Sequence, residues 1–267
     1  MRLMRLVCRL CLLCLALGAA CASAASDLRA ALEDPQRPAE QRALDALRKP
    51  AELIEFAGLR PGDRVADYMA GNAYFTRIFS RVVGELGRVY AFLPSEQLEH
   101  CAPDEVAGAL AVKSDPHYPN VRLLVTPGAA FKAPEPLDAI WLVQGYHDLH
   151  VAFMAPTDVA TVNRALFAAL RPGGVLIVID HVAAAGAGPA EIERLHRIDP
   201  AQVRRELEAA GFTLEAESAL LRNPADAHTL RIFDPAIRHH TDQMVLRFRK
   251  PAGQARRGPV RYGWLCA

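Results

Sequence analysis

The sequence predicts an α/β domain, a doubly wound and mostly parallel sheet of seven strands behind a helical N-terminal preface. Short apolar runs of strand length alternate with amphipathic helical stretches from Arg64 onward, the pattern of a parallel sheet covered on both faces. Acids and imidazoles stand directly after several of those runs, at the strand ends where such sheets bind ligands. The apolar share, 51% of 267 residues, is enough for one large core without disulfide staples.

The amino end reads as a leader. Arg2, Arg5 and Arg9 precede an apolar run over residues 10–18, and the small residues Ala22-Ser23-Ala24 follow it. The run falls short of the roughly 20 residues that span a bilayer. Residues 1–24 are therefore expected to be a cleaved signal peptide and the protein to be periplasmic, without a stable membrane span after cleavage. Cys21 leaves lipid anchoring as a minor alternative. Loss of the three arginines takes the formal charge from +1 to about −2, too little positive charge for a nucleic-acid partner. Of six cysteines only Cys101 and Cys266 lie beyond the leader, either one disulfide or two separate thiols.

Residues 25–58 form the helical segment, rich in Ala, Leu, Arg and Glu, with Pro35, Pro38 and Pro50 as helix starts or breaks. Residues 59–251 carry the domain and 252–267 a tail. A turn at Arg60-Pro61-Gly62-Asp63 feeds a first strand over 64–69, followed by a helix with Tyr74, Phe75, Ile78, Phe79 and Val82 on one face. Second and third strands are expected over 88–93 and 121–125, each closed by a proline turn. A fourth runs over 137–144, and the next helix turns Val159, Val162, Leu166 and Leu170 inward. Pro172-Gly173-Gly174 ends that helix before a fifth strand over 175–180. Asp199-Pro200-Ala201-Gln202 places a capping Asp, a first-turn Pro and a capping-box Gln in order, starting a helix with Val203 and Leu207 inward. The last strands fall over 213–221 and 244–250. Between them a long polar loop holds Asn223, Asp226, His228, Asp234 and Arg238, either a cover for a ligand or a rigid connector.

The strand ends carry Asp67 after the first strand, Gln144-Gly145-Tyr146-His147-Asp148 after the fourth, and Asp180-His181 after the fifth. In a 3-2-1-4-5 order these are neighbours, and ionisable groups gathered on one rim point to a binding site. If the segment after the fourth strand is helical, His147 and His150 share a face. That allows a metal-binding alternative with Asp148 and His181, although His-x-x-His alone is a weak signal.

The chain resembles the bacterial predicted methyltransferases of the class I S-adenosylmethionine-dependent type. The resemblance runs from about Arg37 to Pro251. It is carried by Arg48-Lys49-Pro50-Ala51-Glu52, Arg60-Pro61-Gly62-Asp63, Tyr74-Phe75-Thr76-Arg77-Ile78-Phe79-Ser80, Gly87-Arg88-Val89-Tyr90-Ala91-Phe92, Tyr146-His147-Asp148-Leu149-His150, Leu170-Arg171-Pro172-Gly173-Gly174, His196-Arg197-Ile198-Asp199-Pro200 and Arg222-Asn223-Pro224. What it implies is a Rossmann-like class I methyltransferase fold, S-adenosylmethionine as cofactor and a small-molecule or unknown methyl acceptor. It implies a cofactor site at Asp67 and Gly71 with Asn72, and Gln144 stands beside it. Glu96 is either placed at the ribose by the Pro94 turn or an ordinary helix-start glutamate, and Arg48 either matches the methionine carboxylate in a two-point hydrogen bond or forms a surface salt bridge. The candidate catalytic residues are His147 and Asp148, as an acid/base or acceptor-orienting pair, and Tyr146, lining the pocket. The turn Asp67-Tyr68-Met69-Ala70-Gly71-Asn72-Ala73 keeps only Gly71 of the glycines general to that type, and Glu96 is the nearest acid to the end of the second strand. The alternative from another class is a protein that keeps this fold and binds a ligand without transfer chemistry.

Overall fold

The structure, a computed structural model, describes residues 28–154 and 158–253. The leader, Cys266 and the tail beyond Gly253 lie outside the described residues. Seven strands, β1 (Arg64–Tyr68), β2 (Arg88–Pro94), β3 (Val121–Thr126), β4 (Leu137–Val143), β5 (Leu170–His181), β6 (Thr213–Ser218) and β7 (Gln243–Arg249), form one sheet in the order β3-β2-β1-β4-β5-β7-β6. All pairs from β3 to β5 are parallel, and β7 runs antiparallel to both β5 and β6. The expected seven strands and the 3-2-1-4-5 half are present. The order reverses at β1, so β1 and β4 form the switch point where their carboxyl ends open a crevice.

Alternation along each strand builds two cores. Val65, Val89, Ala91, Ala139 and Trp141 face one side, with α1 (Pro50–Ala57), α2 (Tyr74–Val83) and, after α3 (Ser95–His100), α4 (Pro103–Val112). Ala66, Tyr90, Phe92, Ile140 and Leu142 face the other, with α5 (Val159–Ala169) and, after α6 (Pro189–Leu195), α7 (Pro200–Ala209). Phe75 and Phe79 pack on Trp141 at ring separations of 5.5 and 4.8 Å, which seats α2 over β4. The Asp199 carboxylate accepts the Ala201 N–H at 2.9 Å and Pro200 opens α7, as the capping pattern requires.

The preface is broken as its prolines suggest, into four-residue helices at Ala39–Arg42 and Asp45–Arg48, and Lys49 turns left-handed before Pro50 starts α1. One expectation needs correction. The fifth strand begins at Leu170 rather than Val175. The Gly173 N–H and Gly174 carbonyl pair with Lys250, carrying the ladder through the Pro-Gly-Gly segment with a shifted register against β4. Among the described residues, no helix is long and apolar enough to cross a membrane.

Candidate functional site

Beyond β1 the chain turns tightly, and Met69 (φ 65°), Gly71 (φ 50°) and Ala73 (φ 60°) all lie in the left-handed region. Only one of the three is a glycine, so the turn holds two side-chain-bearing residues in a conformation that costs them roughly 1–2 kcal/mol each. Packing from outside keeps it there. The Ala109 N–H of α4 donates to the Gly71 carbonyl at 2.9 Å, and a Cβ on Gly108 would stand 1.9 Å from the Asn72 carbonyl oxygen. Gln41 Nε2 and Arg77 Nη1 donate to that same Asn72 oxygen at 2.9 and 2.8 Å.

Asp67 is buried and accepts the Thr76 hydroxyl at 2.5 Å. Burial pushes its carboxyl up to about 6, against the Thr76 hydrogen bonds and the Arg48 charge, which pull it down. Arg48 arrives from the preface, lies 4.5 Å over the Tyr74 ring and donates to Gln144 Oε1 at 3.2 Å. Burial lowers the pKa of its guanidinium, and among the described residues no carboxylate lies within ion-pair distance of it. Gln144, itself left-handed at φ 55°, donates onward to Gln243 Oε1 at 3.1 Å. Asp67, Arg48 and Gln144 thus meet at the switch point. Glu96 stands further along the rim, where both carboxylate oxygens accept the Gly128 N–H at 3.1 Å.

The other group of candidates lies where β4 and β5 end. Asp180 is fully buried and accepts the His147 N–H and the His181 N–H at 2.7 Å each, and His147 Nδ1 donates to it at 2.7 Å. His147 Nε2 faces Asp148 Oδ1 at 3.1 Å. Burial alone would hold His147 neutral, but the Asp180 and Asp148 carboxylates overcome it and raise it to about 10. Burial would raise Asp148, yet the facing imidazoles bring it down to about 2. His181 hydrogen-bonds Thr241 Oγ1 at 2.7 Å and is held down at about 3, chiefly by burial.

Tyr146 and His150 do not join this group. Tyr146 is fully buried, donates to Glu206 at 2.9 Å and accepts from Asn163 at 2.7 Å, so it packs beneath the rim rather than lining a pocket. His150 Nε2 donates to the same Glu206 at 3.1 Å. The segment His147–His150 is a 3-10 helix, in which residues three apart share a face, yet His147 turns to Asp180 and Asp148 and His150 to Glu206, and the His147/His150 metal pair is not formed. His196 takes its place beside Asp148, with Nδ1 3.6 Å from Oδ1. His196 and Thr76 stand in segments that carry the family resemblance but are not singled out there as site residues, and Thr241 and Gln243 give no signal.

The loop over 221–241 is fastened along its length. Arg197, fully buried, makes two hydrogen bonds to Asp226 at 2.7 and 3.2 Å, and Asp226 also accepts the Asp242 N–H at 2.7 Å. Asp242 in turn accepts from Arg222 at 2.7 Å and His228 at 3.0 Å. These anchors favour the connector over the moving cover.

No family model matches the sequence. The chain is 27% identical over 195 residues to the ubiquinone/menaquinone biosynthesis C-methyltransferase UbiE of Vibrio vulnificus, and 26% over 194 residues to that of Vibrio campbellii. The matches take in 73% and 72% of the chain and span 64% of the length of these curated relatives. Among solved structures it is similar to a SAM-dependent methyltransferase from Aquifex aeolicus, with a TM-score of 0.54 at 19% identity over 85% of this chain and 98% of that one. The fold is the class I methyltransferase fold. The [4+2]-cyclase SpnF shares it, with a TM-score of 0.57 at 19% identity over 83% of this chain and 86% of that one. A fold shared with a cyclase leaves the reaction to be argued from the site.

Proposed function

We propose that the protein is an S-adenosylmethionine-dependent methyltransferase, with the cofactor across β1, the 69–73 turn and the start of α2, and the acceptor at the β4 end. One observation carries the reading. Asp67 is a buried carboxylate held well above its usual range, and Arg48 is a desolvated guanidinium with no carboxylate in ion-pair reach among the described residues, each within electrostatic range of the other. A zwitterionic amino-acid end, ammonium and carboxylate together, matches both groups at once. The similarity to relatives named as C-methyltransferases supports the same reading.

Bound there, S-adenosylmethionine would supply an electrophilic methyl group on a sulfonium. Asp67 would hold the ammonium, Arg48 with Gln144 the carboxylate, and the backbone at Gly71 and Asn72 would allow close approach. Met69 and Ala73 adopt the left-handed backbone at positions where glycines are usual. Glu96, just past the end of β2 and beside the Gly128 N–H, is the candidate for the ribose hydroxyls. In the resting site His147 carries its proton and Asp148 is ionised, so at neutral pH the pair orients or polarises an acceptor rather than abstracting a proton. We propose further that residues 1–24 direct export to the periplasm.

Calorimetric titration with S-adenosylmethionine and S-adenosylhomocysteine tests the reading on wild type, Asp67→Asn and Arg48→Ala. Micromolar binding by wild type, weakened at least about tenfold by each substitution, is expected. Folded wild-type protein that binds neither compound would overturn it.

A further inference from the structure

His196 reaches the rim from the segment between β5 and β6. It ends α6 in left-handed backbone at φ 54° and points Nδ1 at Asp148 Oδ1, the same oxygen that His147 Nε2 faces. The three ligating atoms lie within 4.8 Å of one another, and among the described residues this is the one group of three that does so. We propose that His147, Asp148 and His196 bind one divalent transition-metal ion, zinc in the first instance.

The two separations from Asp148 have the span that a single ion would bridge. Separations of 3.1 and 3.6 Å subtend roughly 95° and 120° at an ion about 2.1 Å from each atom, within the range of a distorted tetrahedral site. The ligand set is two imidazoles and one carboxylate, which suits zinc and its first-row neighbours and not the all-oxygen shells of calcium or magnesium. The outer shell is also in place. Asp180 accepts the His147 Nδ1 proton at 2.7 Å, fixing the ring and leaving Nε2 as the ligand atom, the carboxylate–histidine–metal arrangement.

The surroundings fit an ion as well. Two carboxylates, Asp180 and Asp148, flank the His147 ring, and a divalent ion would sit between Nε2 and Asp148. Arg231 Nη2 donates to His196 Nε2 at 3.1 Å, and metal on Nδ1 moves a proton to that nitrogen, so Arg231 must release it. Arg231 is exposed and its guanidinium can return to water. The half-exposed Phe233 packs 5.2 Å from the His196 ring, and three protein ligands would leave a fourth position for a tetrahedral ion. That position would take water or an oxygen of a small ligand.

The ion would lie at His147 and Asp148 on the proposed acceptor side, away from Asp67 and Arg48, and its binding is measured without S-adenosylmethionine. Full-length chain is stripped with chelator, dialysed, and titrated with Zn²⁺ by calorimetry, with metal content measured in parallel and Co²⁺ used as an optical probe. One equivalent of Zn²⁺ at micromolar affinity or tighter is expected, together with visible Co²⁺ absorption bands. His196→Ala and Asp148→Asn should each weaken binding at least about tenfold. His150→Ala, on the same turn but bonded to Glu206, should leave it unchanged. Substoichiometric zinc in folded wild type, binding indifferent to His196→Ala and Asp148→Asn, or binding lost with His150→Ala would each overturn the site. Thermal unfolding of every variant separates loss of the site from loss of the fold.

Discussion

Asp67→Asn should stabilise the ligand-free protein while removing its grip on an ammonium group. In the native state burial raises the carboxyl from 3.8 to about 6, and the residue is only 4% exposed, so solvent screening takes little from the effect. A shift of about two units corresponds to about 3 kcal/mol between the protonation states. The sign follows from the raised value. Between 3.8 and about 6 the native state holds the proton more tightly than the unfolded chain, so this group's contribution to stability falls as pH rises through that window. Above it the full penalty stands. Asparagine removes the charge and keeps an oxygen for the Thr76 hydroxyl. The variant should therefore gain up to about 3 kcal/mol near pH 7.5, roughly 6–12 °C in Tm for a chain of this size, and almost nothing near pH 3.5. Thermal unfolding of both proteins across that range, with calorimetric titration alongside, measures both halves. Because an ammonium favours the ionised carboxyl, wild-type cofactor affinity should rise with pH up to about 6 and then level. A gain that did not change with pH, or a loss of stability near pH 7.5, would refute the claim that burial of charge governs Asp67.

Gly108→Ala forces a Cβ to within 1.9 Å of the Asn72 carbonyl oxygen, so α4 must lift off the turn. A loss of about 3 kcal/mol, read by urea unfolding, and weaker cofactor binding are expected. Ala73→Gly relieves a left-handed alanine at φ 60° and should raise Tm by a few degrees, a net gain of about 1 kcal/mol after the glycine entropy cost. Asp226→Ala leaves the buried Arg197 guanidinium without its partner. It should cost about 3–5 kcal/mol and open residues 221–241 to limited proteolysis, whereas an intact protease pattern would mean the loop is held elsewhere. Glu96→Ala removes a charged acceptor from Gly128 and should cost about 1.5–3 kcal/mol, with faster hydrogen exchange at the Gly128 amide.

The sheet was legible because its signals are local. Apolar strand runs, the Asp199-Pro200 start of α7 and the one-sided face of α2 depend only on neighbours in sequence, and each appears where the pattern put it. Asp67, Gln144, His147 and Asp180 were also legible, since topology alone sends strand ends to one rim. Tyr146 shows where that reasoning stops. It sits one residue from His147 in sequence, but a 3-10 turn sends its hydroxyl to Glu206 on the opposite side. Nothing local encodes that direction. His196 was missed for the converse reason: it lies 48 positions beyond Asp148, and only the parallel bridge between Val182 and Ile198 brings its segment back to the end of β5.

The seven-stranded sheet cannot by itself choose the reaction, since a [4+2]-cyclase is built on the same one. In this chain the site is completed by residues that reach the sheet from outside. Arg48 belongs to the preface, and the preface is tied in place by a buried network rather than appended to it. Arg37 is fully buried and grips Asp45 through two hydrogen bonds at 2.7 and 2.8 Å, and the Tyr74 hydroxyl donates to the same carboxylate at 2.5 Å. Tyr74 is the first residue of α2 and carries Arg48 on its ring, so one side chain links the preface, the cofactor turn and the guanidinium. Cutting the chain at the start of β1 would leave every strand intact and yet remove half of the charge pair on which the cofactor reading depends. The preface is therefore part of the candidate site, and the same logic applies to His196 on the far side of β4, where a residue outside the sheet completes a cluster that the strand ends only begin.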